Sequence, residues 1–243
     1  MKTIIGIMMS LVTGVMVAQT PVTKSYPVSA GQRITFHFDY PELVKISTWD
    51  KNEISIEGIV SINDGENDDA FELTQSVSGN TINIENRIKG LKDLPQRVTI
   101  TRGAEKITFK SKEEYKMYRD EHGKDFSQTN FGVDIEIVLE IKVPKNMETK
   151  LESVYGMVEV MNFQGPLSVD ATYGGVDVTV QEKTTGELTA ETGYGQIYTN
   201  LEQKFTGSEF EDFHTVVSIK PGTGPKYSFE SKYGNVYLRK PKI

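Results

Sequence analysis

A tyrosine–glycine pair recurring through the second half of the chain constrains this sequence more than any other feature. Four segments carry it, each followed by an alternating apolar stretch: Tyr155-Gly156-Met157-Val158-Glu159-Val160, Tyr173-Gly174-Gly175-Val176-Asp177-Val178, Tyr194-Gly195-Gln196-Ile197-Tyr198 and Tyr233-Gly234-Asn235-Val236-Tyr237-Leu238. The tyrosines stand 18, 21 and 39 residues apart. The last gap is nearly double the others, so a degenerate copy is expected midway, and His214-Thr215-Val216-Val217-Ser218-Ile219 supplies one. With His214 in the tyrosine place the spacings become 18, 21, 20 and 19.

The side-chain pattern within each copy has the period of a strand. Apolar residues fall three and five places after the tyrosine: Val158 and Val160, Val176 and Val178, Val217 and Ile219, Val236 and Leu238, with Ile197 and Thr199 in the Tyr194 copy. Four places before it stand Leu151, Val169, Ala190, Phe210 and Phe229. Each copy thus reads as strand, tight corner, strand. Gly156, Gly174, Gly195 and Gly234 mark the corners, where a missing Cβ allows either a positive φ or a close backbone approach. A period near twenty residues with no helix between the strands predicts an all-β solenoid, because one copy cannot bury its apolar face alone and stacked copies can. A meander or sandwich of antiparallel hairpins is the competing arrangement. In a stack, Tyr155, Tyr173, Tyr194, His214 and Tyr233 form a ladder at one edge. Such a ladder serves packing, or offers a face on which a sugar ring can stack.

The N-terminal half reads as irregular β rungs. Ile34, Phe36 and Phe38 alternate with polar residues; Val44-Lys45-Ile46 runs to Trp49, turns at Asp50-Lys51-Asn52 and returns through Ile54-Ser55-Ile56. Ile82 and Ile84, then Val98 and Ile100, continue the pattern. Residues 103–132 break it: Ser111-Lys112-Glu113-Glu114 fits a capping box and Gly123 a helix stop, with Tyr115 and Tyr118 on one face between them. From Val133 a strand resumes, with Ile135, Ile137, Leu139, Ile141 and Val143 on one face, until Pro144.

The first eighteen residues stand apart. Lys2 precedes an apolar run from Ile4 to Val17, and Ala18 precedes Gln19-Thr20-Pro21. This is the shape of a secretory signal peptide cut after Ala18. A short membrane anchor is the competing reading, but the run falls short of the ~20 residues that span a bilayer. No second such run follows, and the closing Lys240-Pro241-Lys242-Ile243 predicts no wall-sorting tail. The expected organisation is therefore signal peptide 1–18, N-terminal β rungs 19–102, insertion with a short helix 103–132, and Gly-cornered repeats 133–243, with 19–243 as one continuous domain.

Composition narrows the function classes. There is no cysteine, which removes disulfides, thiol catalysis and thiolate metal sites. The net charge of -7 argues against binding nucleic acid or anionic lipid through phosphate contacts. His37, His122 and His214 lack a partner at metal-ligand spacing, and no nucleophile elbow, phosphate loop or dinucleotide fingerprint occurs. The oxygen-rich loop Asn63-Asp64-Gly65-Glu66-Asn67-Asp68-Asp69 is a solvated turn or, without EF-hand spacing, a calcium loop of another kind. Asp170, Asp177 and Glu191 are the carboxylates a glycan-cleaving enzyme would draw on, but their alternation sets them opposite the apolar face.

Val44-Lys45-Ile46 through Trp49-Asp50-Lys51-Asn52-Glu53-Ile54, Ile141-Lys142-Val143-Pro144, and the Gly-cornered repeat from Val154 onward together resemble the bacterial "putative adhesin" family of the auto-transporter-adhesin, head-domain-like type. The resemblance implies a right-handed, β-helix-like fold, export, and a frequent origin in Bacteroidetes-type bacteria. It carries no functional residues, and the 103–132 insertion departs from it. The expectation is a non-catalytic binding or adhesion module of the periplasm, cell surface or medium. It should need no cofactor or metal, and its partner would be a surface polysaccharide or a protein. A self-associating envelope component and a carbohydrate-active β-helix enzyme are the alternatives.

Overall fold

The computed structural model describes residues 19–211 and 213–241. The leader expected over 1–18 lies outside the described residues. In chain order the first part holds β1 (Thr20–Pro27), β2 (Arg33–Phe38), β3 (Leu43–Trp49), β4 (Glu53–Ile62), β5 (Phe71–Ser78) and β6 (Thr81–Ile88). Then come β7 (Arg97–Arg102), β8 (Glu105–Phe109), α1 (Lys112–His122), β9 (Gln128–Gly132) and β10 (Ile135–Pro144). The repeat region contributes β11 (Thr149–Ser153), β12 (Met157–Val160), β13 (Leu167–Ala171), β14 (Val176–Thr179), β15 (Glu187–Thr192), β16 (Ile197–Thr199), β17 (Thr206–Glu211), β18 (His214–Ile219), β19 (Lys226–Ser231) and β20 (Val236–Arg239).

The protein is mostly β, and two large sheets enclose one core. The first has the order β1-β4-β10-β3-β12-β14-β20-β16, the second β17-β18-β15-β19-β13-β11-β2-β6-β5. Each Gly-cornered unit gives its first strand to the second sheet and its second strand to the first. Pairing between units is parallel and in register, with Leu151 beside Val169, Val169 beside Phe229, Val158 beside Val176 and Val176 beside Val236. The residues with inward phase are buried: Leu151, Val169, Ala190 and Phe229 on one sheet, Val158, Val160, Val176, Val178, Val236 and Leu238 on the other. Burying each of the valines, leucines and Phe229 is worth ~1.5–3 kcal/mol, so the alternation itself holds the sheets together. Ile197 is half-buried and Thr199 exposed, because β16 is the edge of its sheet. Antiparallel pairing is found toward the ends, in β1–β4–β10, β5–β6 and β15–β18–β17.

The order of units in space differs from their order in the chain. The Tyr233 unit, β19–β20, lies between the Tyr173 unit and the Tyr194 unit: β19 pairs in parallel with both β13 and β15, and β20 with both β14 and β16. The His214 segment is no repeat unit. It forms β18, which pairs antiparallel with β15 and with β17 and so closes one end of the second sheet. A hairpin about as long as a repeat unit reproduced the spacing without the geometry.

The insertion also begins earlier than its sequence boundary. β7 leaves the N-terminal rungs and is the central strand of a three-stranded sheet, β8-β7-β9. Val98, Ile100 and Phe109 form its own small core, against which Tyr115 and Tyr118 of α1 pack. Ser111 caps α1 by accepting a hydrogen bond from the Glu114 N–H, and the Gly123 N–H closes the other end on the Arg119 carbonyl. Among the described residues no helix is long and apolar enough to cross a membrane.

Candidate functional site

The site is built at the corners. Backbone hydrogen bonds continue from unit to unit through the turn: Val154 N–H to Phe38 O, Tyr173 N–H to Val154 O, Tyr233 N–H to Thr172 O and Tyr194 N–H to Lys232 O. The corners therefore sit directly above one another, and little room is left between them. A Cβ at Gly174 would lie under 3.0 Å from the Gly156 carbonyl oxygen, one at Gly234 from that of Gly174, and one at Gly195 from that of Gly234. Gly156 alone of these four has a positive φ, +75°. Close approach, rather than backbone conformation, is what demands glycine at the other three.

A hydroxyl two places before the tyrosine completes the corner. Ser231 Oγ donates to the Gly174 carbonyl (2.6 Å) and accepts from the Gly234 N–H (2.9 Å). Thr192 Oγ1 does the same between the Gly234 carbonyl and the Gly195 N–H, at 2.9 and 3.0 Å. Both residues are buried. Ser153, Thr192 and Ser231 hold this place in their copies, and Ala171, without a hydroxyl, holds it in the Tyr173 copy.

Strand spacing then fixes the rings. Tyr155 and Tyr173 lie 5.2 Å apart between centroids, Tyr173 and Tyr233 5.1 Å, and Tyr233 and Tyr194 5.1 Å, with interplanar angles of 12°, 6° and 9°. Two further rings extend the row: Tyr40 stacks on Tyr155 at 6.2 Å, and Phe213 on Tyr194 at 6.2 Å. His214, assigned the ladder position from sequence, is instead outside the row; its Nε2 lies 2.6 Å from Glu191 Oε1, and the neighbouring Phe213 provides the ring. Tyr40 was hidden by one extra residue between its corner and Val44, and by Pro41 in the glycine place, although Phe36 stands four positions before it as in the other copies.

The resulting ridge is a slipped stack. Parallel rings touch at ~3.5–4.0 Å between planes, so centroids 5.1 Å apart are offset like overlapping tiles. Part of each face stays open: Tyr155 is 50% exposed, Tyr173 55%, Tyr233 44%, Tyr194 64% and Phe213 78%. Lys232 lies over the Tyr233 ring, and next to the corners the Gln196 backbone N–H donates to Asn235 Oδ1 at 2.8 Å. Each end of the ridge opens into a hollow. One, of about 810 Å³, lies between the ridge and the three-stranded sheet and is lined by Tyr40, Tyr155, Phe131, Asn130, Thr101 and Glu42 among others. The other, of about 620 Å³, adjoins Tyr194, Phe213, Phe205, Ile197 and Val217.

The remaining residues singled out from the sequence lie elsewhere. His37 is held between Glu152 (3.0 Å) and Asp39 (3.1 Å); the Glu152 hydrogen bond and the two nearby carboxylate charges push its pKa up against the opposing effect of burial. His122 stacks on Tyr118. Asp170 and Glu191 stand on the outer face of the second sheet, two strands apart with Glu230 between them in register. Burial and the charges of Glu191 and Asp170 raise the Glu230 pKa. Asp177 is on the other sheet, paired with Arg239 at 2.7 Å. In the 63–69 loop Asp68 Oδ1 accepts the Ile62 N–H, Asn63 Oδ1 accepts the Asp134 N–H, and Glu66 pairs with Arg97 and Lys110. The loop thereby fastens the three-stranded sheet to the main body. Among the described residues no group of three or more His, Asp or Glu side chains is arranged to hold a metal ion.

No protein-family model matches the chain, and no curated protein matches it. Two solved structures match the chain at low similarity. A "putative cell adhesion protein" from Clostridium sporogenes ATCC 15579 is 12% identical, with a TM-score of 0.47, over 92% of this chain and 100% of that one. A "putative adhesin" from Bacteroides fragilis NCTC 9343 is 10% identical, with a TM-score of 0.21, over 94% of this chain and 100% of that one.

Proposed function

We propose that this chain is an exported, non-catalytic binding module of the cell envelope, in the periplasm or on the surface, adhesive in character and built on a right-handed β-helix-like scaffold. The observation that carries this reading is the aromatic ridge. Contiguous apolar surface on a soluble protein commonly marks a contact site. Here the rings are held by corner hydrogen bonds and by one another, so little side-chain freedom is left to lose when a partner docks. The leader-like segment at 1–18 supports export.

The test is retention on envelope polysaccharides, bacterial cells and matrix proteins, comparing the protein with a Tyr173→Ser/Tyr233→Ser variant whose fold is checked by circular dichroism. At least a fivefold fall in retention is expected. Equal retention of the two proteins removes the ridge from the function.

Self-association is a second reading, favoured by the half-buried Ile197, Phe205 and Val217 at the hollow beside Phe213, where the second sheet extends beyond the first. Its mark is a concentration-dependent mass in sedimentation, abolished by Phe213→Ser.

A further inference from the structure

Resting on the ridge as the contact surface, we infer that its ligand is an extended, uncharged polysaccharide that lies along the row of rings and ends in the hollow beside the three-stranded sheet.

The shape of the ridge selects the ligand. Six rings follow one another from Tyr40 to Phe213 at steps of 5.1 to 6.2 Å, with no gap between neighbours. The five steps make a ribbon of about 28 Å. A proline-rich peptide needs a cleft between rings to seat its residues, and this ridge closes those clefts by stacking. A β-strand would need a free sheet edge, and the ridge lies across corners rather than along an edge. A pyranose chain has the matching form: flat apolar C–H faces repeat at nearly the spacing of the rungs, with hydroxyls projecting at the sides.

Charge selects further. In the hollow, Lys106 is already engaged by both Asp134 and Glu136, and Glu42 adds another carboxylate. The protein as a whole carries -7. Three carboxylates against Lys106 and the Lys112 ammonium over the Phe131 ring leave the hollow net negative, which disfavours an acidic polysaccharide. The hollow places Phe131, 58% exposed, across from Tyr40 and Tyr155 and adds the Asn130 side chain. Beside this aromatic wall stand Thr99, Thr101, Lys106, Asp134 and Glu136, whose polar atoms are hydrogen-bonding partners for sugar hydroxyls.

The test uses the purified protein and β-1,4-linked glucose oligomers of two to eight units in calorimetric titration, with polygalacturonate oligomers and a proline-rich peptide as separate arms. Affinity is expected to rise at least tenfold from two to six units and then level off, since the ridge has six rings. Tyr173→Ser and Phe131→Ser should each lower it at least fivefold, while Tyr198→Ser, an exposed tyrosine outside the row, should leave it unchanged. Melting curves of the four proteins separate loss of binding from loss of fold, and Phe131, being on the surface, leaves the main core untouched. The inference is overturned by equal affinity at all lengths, by tighter binding of the acidic oligomers or the peptide, or by no binding of the neutral oligomers. If the ridge variant still loses retention on cells while the neutral oligomers do not bind, the ligand class is wrong and the binding function stands.

Discussion

Gly174→Ala separates the two reasons a corner can demand glycine. If conformational freedom were the reason, the substitution would be harmless: Gly174 has no positive φ, and replacing such a glycine with alanine stabilises a protein by ~0.4–1 kcal/mol through the unfolded chain. If close approach is the reason, the new Cβ meets the Gly156 carbonyl at a distance real Cβ atoms do not adopt, and the obstacle is backbone that cannot rotate away. Overpacking of this kind costs ~1–3 kcal/mol. The displacement also strains the Tyr173 N–H to Val154 O and Ser231 Oγ to Gly174 O bonds, each worth ~1 kcal/mol. Together the loss comes to about 3–5 kcal/mol, which for a chain of this size lowers Tm by roughly 10 °C. Gly103→Ala is the opposite case: φ is +62° and nothing lies within 4 Å, so only the left-handed penalty of ~1–2 kcal/mol applies. Thermal melts followed by circular dichroism read both. A Gly174→Ala protein as stable as the parent, or more stable, would refute the close-approach account of the corner ladder.

Other substitutions report on the same framework. Ser231→Ala removes two hydrogen bonds made by a fully buried hydroxyl and should cost ~1–3 kcal/mol in urea unfolding, whereas Ser168→Ala, half-buried on the face of β13, should change little. Glu230→Gln should stabilise the protein at pH 7 and have little effect at pH 4. Its folded pKa is raised, so the native state binds the proton more tightly than the unfolded chain, and stability falls as pH rises through that range. A variant less stable than the parent at pH 7 contradicts this. The His37 ring protons should titrate above the ordinary 6.5 in NMR, and Glu152→Gln should bring the midpoint down. The stability His37 contributes is then present below the unfolded pKa and fades as pH rises through the folded one.

The unit was legible in the sequence because it is local: a tyrosine, a glycine and two apolar residues of the same phase describe one strand, one corner and the next strand wherever they occur. The order of units was not legible, because equivalent units present equivalent edges and nothing in Val236-Tyr237-Leu238 says which neighbours it takes. The same locality explains the misplacement of His214. Val217 and Ile219 alternate as a strand must, and alternation does not distinguish a parallel rung from one arm of an antiparallel hairpin. Tyr40 escaped for the converse reason, since a single added residue destroys a spacing match without moving the ring from its row. At the insertion, Val98 and Ile100 read as one more rung; only tertiary pairing with β8 and β9 assigns them to the smaller sheet.

The placement of the Tyr233 unit makes assembly of the ridge non-sequential. Phe229, Val236 and Leu238 fill a slot whose two walls are both made earlier in the chain. A polypeptide interrupted after the hairpin therefore has its first and second rungs in place and an unfilled seam in front of its Tyr194 unit. Until that seam is closed, Tyr173 and Tyr194 have no ring between them. Continuity of the aromatic row thus becomes a readout of whether the chain through Arg239 has threaded home, and an incompletely folded molecule shows any partner two short tracks instead of one.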